Sequence, residues 1–349
     1  MLLLNELILQ ARNQGCSDIH LSEGLPLMFR INGKLQVIQH NYTDDMIRSM
    51  ILDSMTPDQQ SLLAQGQDAD FAIRSTDGNR QRVNVFRQNG KVAATIRLLN
   101  SSIPGLEMLG LPRVLNSLAE KPRGLILVTG PTGSGKSTTL ASMIDHINET
   151  RPDHIITIED PIEYVYDQKL ALIHQREVGR DVSGFAPALR SALREDPDII
   201  LVGEMRDYET ISAALTAAET GHLVMSTLHT TGAAQTIDRV IDACPGNIQN
   251  QIRTQLAGVL NGVVTQCLIP NARGNGRVAA TEILVGTDAV GNLIRENKCH
   301  QLNSTMQQGS RDGMHTLNAD LSRLVQSGMI QANMAKKYTN DPADLEQYM

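Results

Sequence analysis

The sequence predicts an α/β protein of two domains, from its length and from two different patterns of apolar residues. Its 349 residues, 41% of them hydrophobic, are enough for two cores of ordinary size. The first hundred residues mix helical stretches with β-prone runs joined by tight turns, which indicates an antiparallel sheet. Later apolar runs alternate with helical stretches, which indicates a parallel sheet covered by helices on both faces.

Hairpin turns and a capped helix define the first predicted domain, residues 1–99. The stretch after Thr43 places its apolar residues on one helical face, and the Thr43 hydroxyl is a suitable N-cap. The β-prone runs are joined by residue pairs that favour tight turns, because Asn, Asp and Gly adopt positive φ readily. These pairs are Asn32-Gly33, Asp77-Gly78 and Asn89-Gly90.

Residues 100–115 form the predicted linker, because regular pattern is lost where Pro and Gly cluster in SIPGLEMLGLP. The second predicted domain, residues 116–349, begins with the strand runs GLILVTG, HIITIED, DIILVGE and HLVMSTLHT, separated by helical stretches. The last hundred residues are predicted to be mainly helical. There HTLNADLSRLVQSG places apolar residues on one face, with Gly328 as the helix stop.

The chain shows no sign of a targeting or membrane segment. Its apolar opening is interrupted by Asn5 and Glu6, so it resembles neither a cleavable signal nor a spanning helix. No later stretch approaches the roughly 20 uninterrupted apolar residues that cross a bilayer. We therefore expect a soluble, cytoplasmic protein.

Composition argues against two further classes of protein. The four cysteines lie far apart and form no CxxC pair, so neither a zinc knuckle nor a disulfide framework is indicated. The net charge is −7, and the chain has four Phe, six Tyr and no Trp. A nucleic-acid channel usually needs a basic groove with stacking aromatic residues, so no nucleic-acid partner is expected.

A glycine-rich segment, GPTGSGKS, joins an apolar strand run to a helical stretch. Its glycines allow successive N–H groups to point at phosphate oxygens, and the helix N-terminus adds partial positive charge. Lys136 can reach the β- and γ-phosphates of ATP, and the Ser137 hydroxyl can ligate Mg²⁺. The predicted ATP-binding residues are Gly130, Pro131, Thr132, Gly133, Ser134, Gly135, Lys136, Ser137 and Thr138.

Carboxylates follow two further strand runs, at the ends where a parallel sheet gathers its ligands. Glu204 comes after DIILVG and is assigned to the Mg²⁺ shell, partly through water. Glu163, in HIITIEDPIEY, is assigned as the general base that activates the attacking water. Glu159, Asp160 and Asp198 are further carboxylates near these runs, without an assigned role.

Two histidines flank the run HLVMSTLHT, with His222 before it and His229 after it. A histidine at the tip of this strand can hydrogen-bond the γ-phosphate and report its loss to the rest of the domain. By placement alone His222 and His229 both stay open as candidates, because a lone histidine is more often structural.

Together these segments resemble the type II and type IV secretion ATPases, and within them the PilT-like retraction motors of type IV pili. The matching text is GPTGSGKSTTLASMIDHIN for the Walker A region, IITIEDPIEY for the Asp box, LREDPDIILVGEMRDYETI for the Walker B region and GHLVMSTLHT for the His box. QREVG and TIDRVID match as well. The resemblance extends from GCSDIHLSEG near the start to GMHTLNADL near the end.

The resemblance implies a PAS-like N-terminal domain followed by a RecA-like ATPase domain with C-terminal helices, assembled as a homo-hexamer that binds ATP and Mg²⁺. It gives Glu204 the Walker B position, Glu163 that of the catalytic glutamate and His229 that of the His-box histidine. Arginines of the N-terminal domain reach the phosphates in this family, and Arg82 and Arg97 match them. An arginine can neutralise charge that develops on the transferred phosphoryl group.

Two features bear on the branch of the family. Extension motors carry a longer N-terminal region and a tetracysteine zinc site, and this chain has no such cysteine cluster. Retraction motors carry an AIRNLIRE helix, where this chain reads AVGNLIRE with Gly291 in place of the arginine. A glycine weakens a helix by about 1 kcal/mol relative to alanine.

The sequence thus predicts a motor that powers type IV pilus retraction by nucleotide-driven domain rotation. The expected location is the cytoplasmic face of the inner membrane, with a pilus platform protein of that membrane as partner. Whether a paralogous motor is a second partner is left open. One alternative is a related ATPase of a type IV-like secretion or DNA-transfer system. A second is a RecA-type nucleic-acid translocase, which the acidic balance disfavours. A third is a scaffold that binds nucleotide without hydrolysing it, which Glu163 and Glu204 disfavour.

Overall fold

The computed structural model describes residues 2–31, 33–99, 102–274 and 276–349. The chain divides into two compact units, Met1–Ser102 with Glu163–Val165, and Ile103–Ile162 with Tyr166–Met349. The division falls inside the predicted 100–115 linker, of which residues 100 and 101 lie outside the described part. From residue 103 onward this segment belongs to the second unit, where Leu106, Leu111 and Leu115 are buried.

The first unit contains a six-stranded antiparallel sheet with three helices. Its strands, in the spatial order β3-β2-β1-β6-β5-β4, are β1 (Cys16–Ser22), β2 (Met28–Ile31), β3 (Lys34–Val37), β4 (Ala69–Arg74), β5 (Arg80–Gln88) and β6 (Lys91–Leu98). Its helices are α1 (Leu2–Asn13), α2 (Asp44–Leu52) and α3 (Pro57–Ala64).

Local sequence signals explain these elements. Asp77-Gly78 joins β4 to β5 and Asn89-Gly90 joins β5 to β6, as predicted, while Asn32 of the third turn lies outside the described residues. The Thr43 hydroxyl accepts the N–H of Met46 and so caps α2. The helix then buries its apolar face against the sheet, which accounts for the predicted amphipathic pattern.

The second unit is built on a seven-stranded sheet in the spatial order β13-β12-β7-β11-β10-β8-β9. Its strands are β7 (Gly124–Thr129), β8 (His154–Glu159), β9 (Leu172–Glu177), β10 (Ile199–Val202), β11 (Leu223–Leu228), β12 (Leu260–Pro270) and β13 (Arg277–Val285). All neighbouring pairs are parallel except β12 and β13, which are antiparallel.

Helices cover both faces of this sheet. Leu125 and Leu127 of β7 pack into one apolar layer, and Ile126 and Val128 pack into the other. The helices of this unit are α4 (Val114–Ala119), α5 (Lys136–Thr150), α6 (Phe185–Ala192), α7 (Tyr208–Glu219), α8 (Ala233–Asp242), α9 (Gln249–Val259), α10 (Asp288–Arg295), α11 (Leu302–Gln308), α12 (Leu317–Gln326), α13 (Ala332–Tyr338) and α14 (Pro342–Tyr348). This double covering is why the strand runs are continuously apolar.

The C-terminal part contains the helices that were expected and a hairpin that was not. Thr316 caps α12, which buries Leu317, Leu321 and Leu324 and ends before Gly328 at a φ of 69°, as predicted. Strands β12 and β13 interrupt the mainly helical pattern expected for the last hundred residues. Within the described residues, no helix is both long and apolar enough to cross a membrane.

Candidate nucleotide-binding site

The predicted P-loop connects the carboxyl end of β7 to the amino end of α5. Gly130, Gly133 and Gly135 have φ values of 138°, 78° and 92°, in the region that favours glycine. A side chain at Gly130 would also place its Cβ 2.2 Å from the Gln266 carbonyl oxygen. The glycines of the motif are therefore required by backbone conformation, and at Gly130 by close packing as well.

Gln266 of the neighbouring strand β12 holds the P-loop in place. Its side-chain Nε2 donates to the carbonyl of Ser134 at 2.6 Å, and its Oε1 accepts from the Thr139 hydroxyl at 2.8 Å. Gln266 is itself buried, so these two bonds satisfy its amide. Sequence reasoning missed Gln266, because β12 was not predicted and a glutamine in a strand carries no motif.

Two polar groups of the P-loop suit a phosphate. The Lys136 ammonium donates to the carbonyls of Gly130 and Pro131 at 2.9 and 3.2 Å, which keeps it beside the loop. The Ser134 hydroxyl is buried without a hydrogen-bond partner. Buried polar groups are nearly always satisfied, so an unpaired hydroxyl beside a buried ammonium fits an anionic ligand. Ser137 is exposed on the first turn of α5, where its hydroxyl is available to a metal ion.

Glu204 lies just beyond the carboxyl end of β10 and forms a charged cluster with Arg206 and His229. Its Oε2 is 2.7 Å from Arg206 Nη2 and 3.7 Å from His229 Nε2. Arg206 Nη2 is also 3.2 Å from His229 Nε2. The pKa of His229 is lowered by burial, helped by the charges of Lys136 and Arg206 and opposed by Glu204. The lowered pKa favours the neutral imidazole of His229 at pH 7.

Strand β11 lies between β7 and β10, so the segment that ends in His229 stands between the P-loop and Glu204. The Thr227 hydroxyl donates to the Gly203 carbonyl at 2.6 Å, and the Met205 N–H donates to the Thr227 carbonyl at 3.2 Å. These bonds tie the two strand tips together. The structure thus brings Lys136, Glu204 and His229 together beyond the carboxyl ends of the neighbouring strands β7, β10 and β11.

A chain of threonine hydroxyls begins at Thr129, directly before the P-loop. Thr129 Oγ1 is 2.8 Å from Thr265 Oγ1 on β12 and 3.5 Å from Thr236 Oγ1 on α8. Thr236 in turn lies 2.7 Å from the Thr230 hydroxyl, one residue after His229. Sequence reasoning missed these residues, because hydroxyls from four separate segments leave no local pattern.

The carboxylates at the ends of β8 and β9, and Glu163 beyond β8, have different surroundings. Glu159 accepts from the Thr157 hydroxyl at 2.7 Å and from Gln175 Nε2 at 3.2 Å, which gives it a structural role in the sheet. Glu177 is buried and accepts the N–H of Ile162 at 3.2 Å, which holds the segment that leads to Glu163. Glu163 itself groups with the first unit, and its role as general base stays a prediction.

Arg82 and Arg97 face each other on the paired strands β5 and β6 of the first unit. Arg82 makes a bidentate ion pair with Asp70, at 2.7 Å from Nη2 and 3.1 Å from Nε. Arg97 Nε lies 2.9 Å from Asp18 Oδ1. Both guanidinium groups are thus oriented by carboxylates of their own sheet, and their action on phosphate stays a prediction.

Comparison with known proteins identifies the family. The family model described as type II/IV secretion system protein matches residues 1–347. The type IV pilus retractation ATPase PilT of Pseudomonas aeruginosa is 48% identical over 97% of this chain and 98% of its own. A twitching motility protein of Neisseria gonorrhoeae is 49% identical over 89% of this chain and 83% of its own.

The fold is shared with a solved structure as well. The pilus retraction motor PilT with bound ADP superimposes with a TM-score of 0.91 at 47% identity, covering 98% of both chains. The chain therefore belongs to the type II/IV secretion system protein family. The predicted fold class, a PAS-like domain followed by a RecA-like ATPase domain with C-terminal helices, is confirmed.

Proposed function

We propose that this protein is an ATP-hydrolysing motor that powers type IV pilus retraction. The observation that carries the proposal is the P-loop of the second unit, where Lys136, Glu204 and His229 lie together beyond the carboxyl ends of neighbouring strands. One relative is named for pilus retraction and another for twitching motility, which supports pilus retraction as the process that ATP hydrolysis drives. Work would come from the difference between ATP-bound and ADP-bound states, because losing the γ-phosphate releases contacts that only ATP makes.

In this mechanism the P-loop N–H groups and Lys136 hold the phosphates. Ser137 and Glu204 would hold Mg²⁺, which supplies charge neutralisation at the β- and γ-phosphates when bound. Glu163 accepts the proton of the attacking water, and neutral His229 can donate a hydrogen bond to the γ-phosphate. Arg82 and Arg97 stabilise the charge that develops during transfer.

The motor acts, in this proposal, as a homo-hexamer at the cytoplasmic face of the inner membrane, where a pilus platform protein receives the force. A related ATPase of a type IV-like secretion system is the second candidate, and the family description, which covers secretion proteins, supports it. Imaging labelled pili in a strain that lacks this protein separates the two. Persistent, non-retracting pili support the retraction motor, and normal retraction with blocked secretion supports the alternative.

The catalytic assignment is tested with two variants of the purified protein. Lys136→Ala removes the cation at the phosphates and should abolish nucleotide binding or turnover. Glu163→Gln keeps the shape of the side chain but removes the base, so ATP should still bind while turnover falls by about 10²–10⁴-fold. Binding of a fluorescent ATP analogue and phosphate release measure the two steps. Wild-type turnover in Glu163→Gln would remove Glu163 from the mechanism.

A further inference from the structure

Two histidines meet on one face of the second unit's sheet. His154 begins β8, His174 is the third residue of β9, and the parallel register pairs His174 with Ile156. Residues two apart on a strand share a face, so His154 and His174 are diagonal neighbours. At about 3.3 Å per residue, His154 lies about 16 Å from Glu159 at the other end of β8. The pair therefore lies toward the amino ends of the parallel strands, whereas the P-loop lies at their carboxyl ends.

The rings approach each other through their nitrogen atoms. His154 Nε2 lies 2.9 Å from His174 Nδ1, and the ring planes meet at 87°. The other nitrogen of His154, Nδ1, lies 2.8 Å from the Asp196 carbonyl oxygen. A carbonyl oxygen only accepts, so Nδ1 is the nitrogen of His154 that donates to it, and Nε2 is the nitrogen left to face His174. Metal-binding histidines commonly have this support from a backbone carbonyl.

The spacing of the two nitrogens matches a shared metal ion. Two nitrogens bound at about 2.0–2.1 Å are about 2.9 Å apart at a right-angled metal and about 3.3 Å apart at a tetrahedral one. We propose that His154 Nε2 and His174 Nδ1 bind one divalent transition-metal ion of the class that prefers imidazole ligands. Metal binding at His174 Nδ1 requires that nitrogen to be unprotonated, so a proton held there is released to water and Nε2 of this exposed residue takes one up from water.

The surrounding charges favour a cation. The Asp198 carboxylate accepts the His154 backbone N–H at 2.9 Å, which places a negative charge beside the pair. Arg176, two residues beyond His174 on the same face, is ion-paired with Glu195 at 2.6 Å, so its positive charge is compensated. Arg176 is thus held by its own carboxylate partner, and Asp198 supplies a negative charge that favours a cation bound by the pair.

The coordination sphere indicates which metal ions bind best. No cluster of three or more His, Cys, Asp or Glu lies together in the described part of the chain, so water completes the sphere. Two imidazole nitrogens that subtend a right angle at the metal, with water in the remaining positions, form the tetragonal arrangement that Cu²⁺ and Ni²⁺ favour. The expected order of affinity is therefore Cu²⁺ above Ni²⁺, and Cu²⁺ above Zn²⁺, with no binding of Ca²⁺.

Calorimetric titration of the untagged full-length chain with NiCl₂ tests the site, in a non-coordinating buffer with excess Mg²⁺ and no nucleotide. One equivalent of Ni²⁺ should bind, and ethylenediaminetetraacetate should reverse it. His154→Gln and His174→Gln each remove one of two protein ligands and should weaken binding by about tenfold or more. His300→Gln is the matched control, because His300 is also exposed but lies on the separate turn Cys299–Gln301.

A second readout separates metal binding from damage to the fold. Without metal, His174→Gln should keep the far-ultraviolet circular dichroism and thermal midpoint of the wild type, because His174 is exposed. With Ni²⁺, the thermal midpoint should rise in the wild type and in His300→Gln, but not in His154→Gln or His174→Gln. The proposal is wrong if the wild type shows no saturable binding, or if both pair variants bind Ni²⁺ as the wild type does.

Discussion

Gly130 is the residue of the P-loop with the least room for a side chain. Its φ of 138° is unfavourable for other residues, and a Cβ would meet the Gln266 carbonyl at 2.2 Å. Gly130→Ala should therefore lower the free energy of unfolding by about 2–4 kcal/mol, from backbone strain and overpacking together. It should also weaken nucleotide binding, because the loop must move. Urea unfolding and binding of a fluorescent ATP analogue measure both effects.

Gly133 provides the matched control for this prediction. Its φ is 78°, but a Cβ there would meet no atom within 4 Å. Gly133→Ala should cost only the strain of the left-handed backbone, about 1–2 kcal/mol. Equal losses in the two variants would mean that contact with Gln266 does not limit position 130.

Single residues of the site differ in how far sequence could predict them. Lys136 and Ser137 follow from a local motif, because phosphate binding needs a lysine and a hydroxyl at fixed spacing after the glycines. From β12, Gln266 bonds to the P-loop and Thr265 bonds to Thr129 directly before the loop, and only the fold brings these residues near it. Residues that bind the ligand can thus be predicted from sequence when they lie in one local motif. Residues that support this motif from distant segments cannot.

At the scale of secondary-structure elements, buried strands and capped helices were predictable, and the β12–β13 hairpin was not. Strands β7, β10 and β11 are buried at every residue, so their apolar runs identify them. Strand β12 includes buried Thr265 and Gln266, whose side chains bond to the P-loop region rather than to water. Such polar positions break the apolar pattern on which strand prediction depends.

Helix α10 contains the glycine that departs from the retraction-motor sequence. Gly291 is buried, and a Cβ there would lie 3.1 Å from the Ala257 carbonyl of α9. The Arg295 guanidinium lies 3.5 Å from the same position. The helix forms despite the glycine because Thr287 caps it and α9 packs against it. Gly291 therefore serves a close contact between the two helices.

Strand β13 and helix α12 are joined by buried polar groups that respond to pH. The Glu282 carboxylate accepts the N–H of Ala233 at 2.8 Å and of Leu317 at 3.4 Å, so it caps both α8 and α12. His315 Nε2 lies 2.9 Å from the Thr281 hydroxyl. Burial lowers the pKa of His315 below its usual 6.5, with Arg323 assisting and Asp320 opposing.

His315 should make the protein less stable as the pH falls. Because its pKa is lowered in the folded state, the unfolded state takes up the proton first. Stability is therefore lost as the pH falls from 6.5 toward the lowered pKa, and retained above 6.5. Urea unfolding at pH 7.5, 6.5 and 5.5 should show a shallower pH dependence in His315→Gln than in the wild type. An unchanged slope would mean that His315 is protonated equally in both states.

At the scale of the whole molecule, length and pattern were enough to predict two domains of different sheet type. The antiparallel unit follows from its turn residues, and the parallel unit follows from alternating strands and helices. How copies of the chain would assemble into the proposed hexamer does not follow in the same way, because a subunit interface leaves no periodic pattern in a single sequence. The proposed action of the first unit on the nucleotide therefore needs its own test.

Arg97 is the residue of the first unit through which we propose that test. Arg97→Ala removes a cation expected at the transferred phosphoryl group, so turnover should fall by about 10²-fold or more while nucleotide affinity and the size of the assembly stay unchanged. Arg74→Ala, an exposed arginine at the end of β4, is the control and should keep wild-type turnover. Phosphate release, nucleotide binding and analytical ultracentrifugation measure the three properties.

The ion pair of Arg97 with Asp18 requires one further variant. Asp18 is 6% exposed, and removing Arg97 leaves it with Arg30 Nε at 3.9 Å as its cation, so Arg97→Ala also destabilises the fold. Asp18→Asn combined with Arg97→Ala removes the buried carboxylate charge that Arg97 compensated, and should restore stability without restoring turnover. If the double variant regains wild-type turnover, or if Arg97→Ala never loses it, Arg97 serves only the stability of its own sheet.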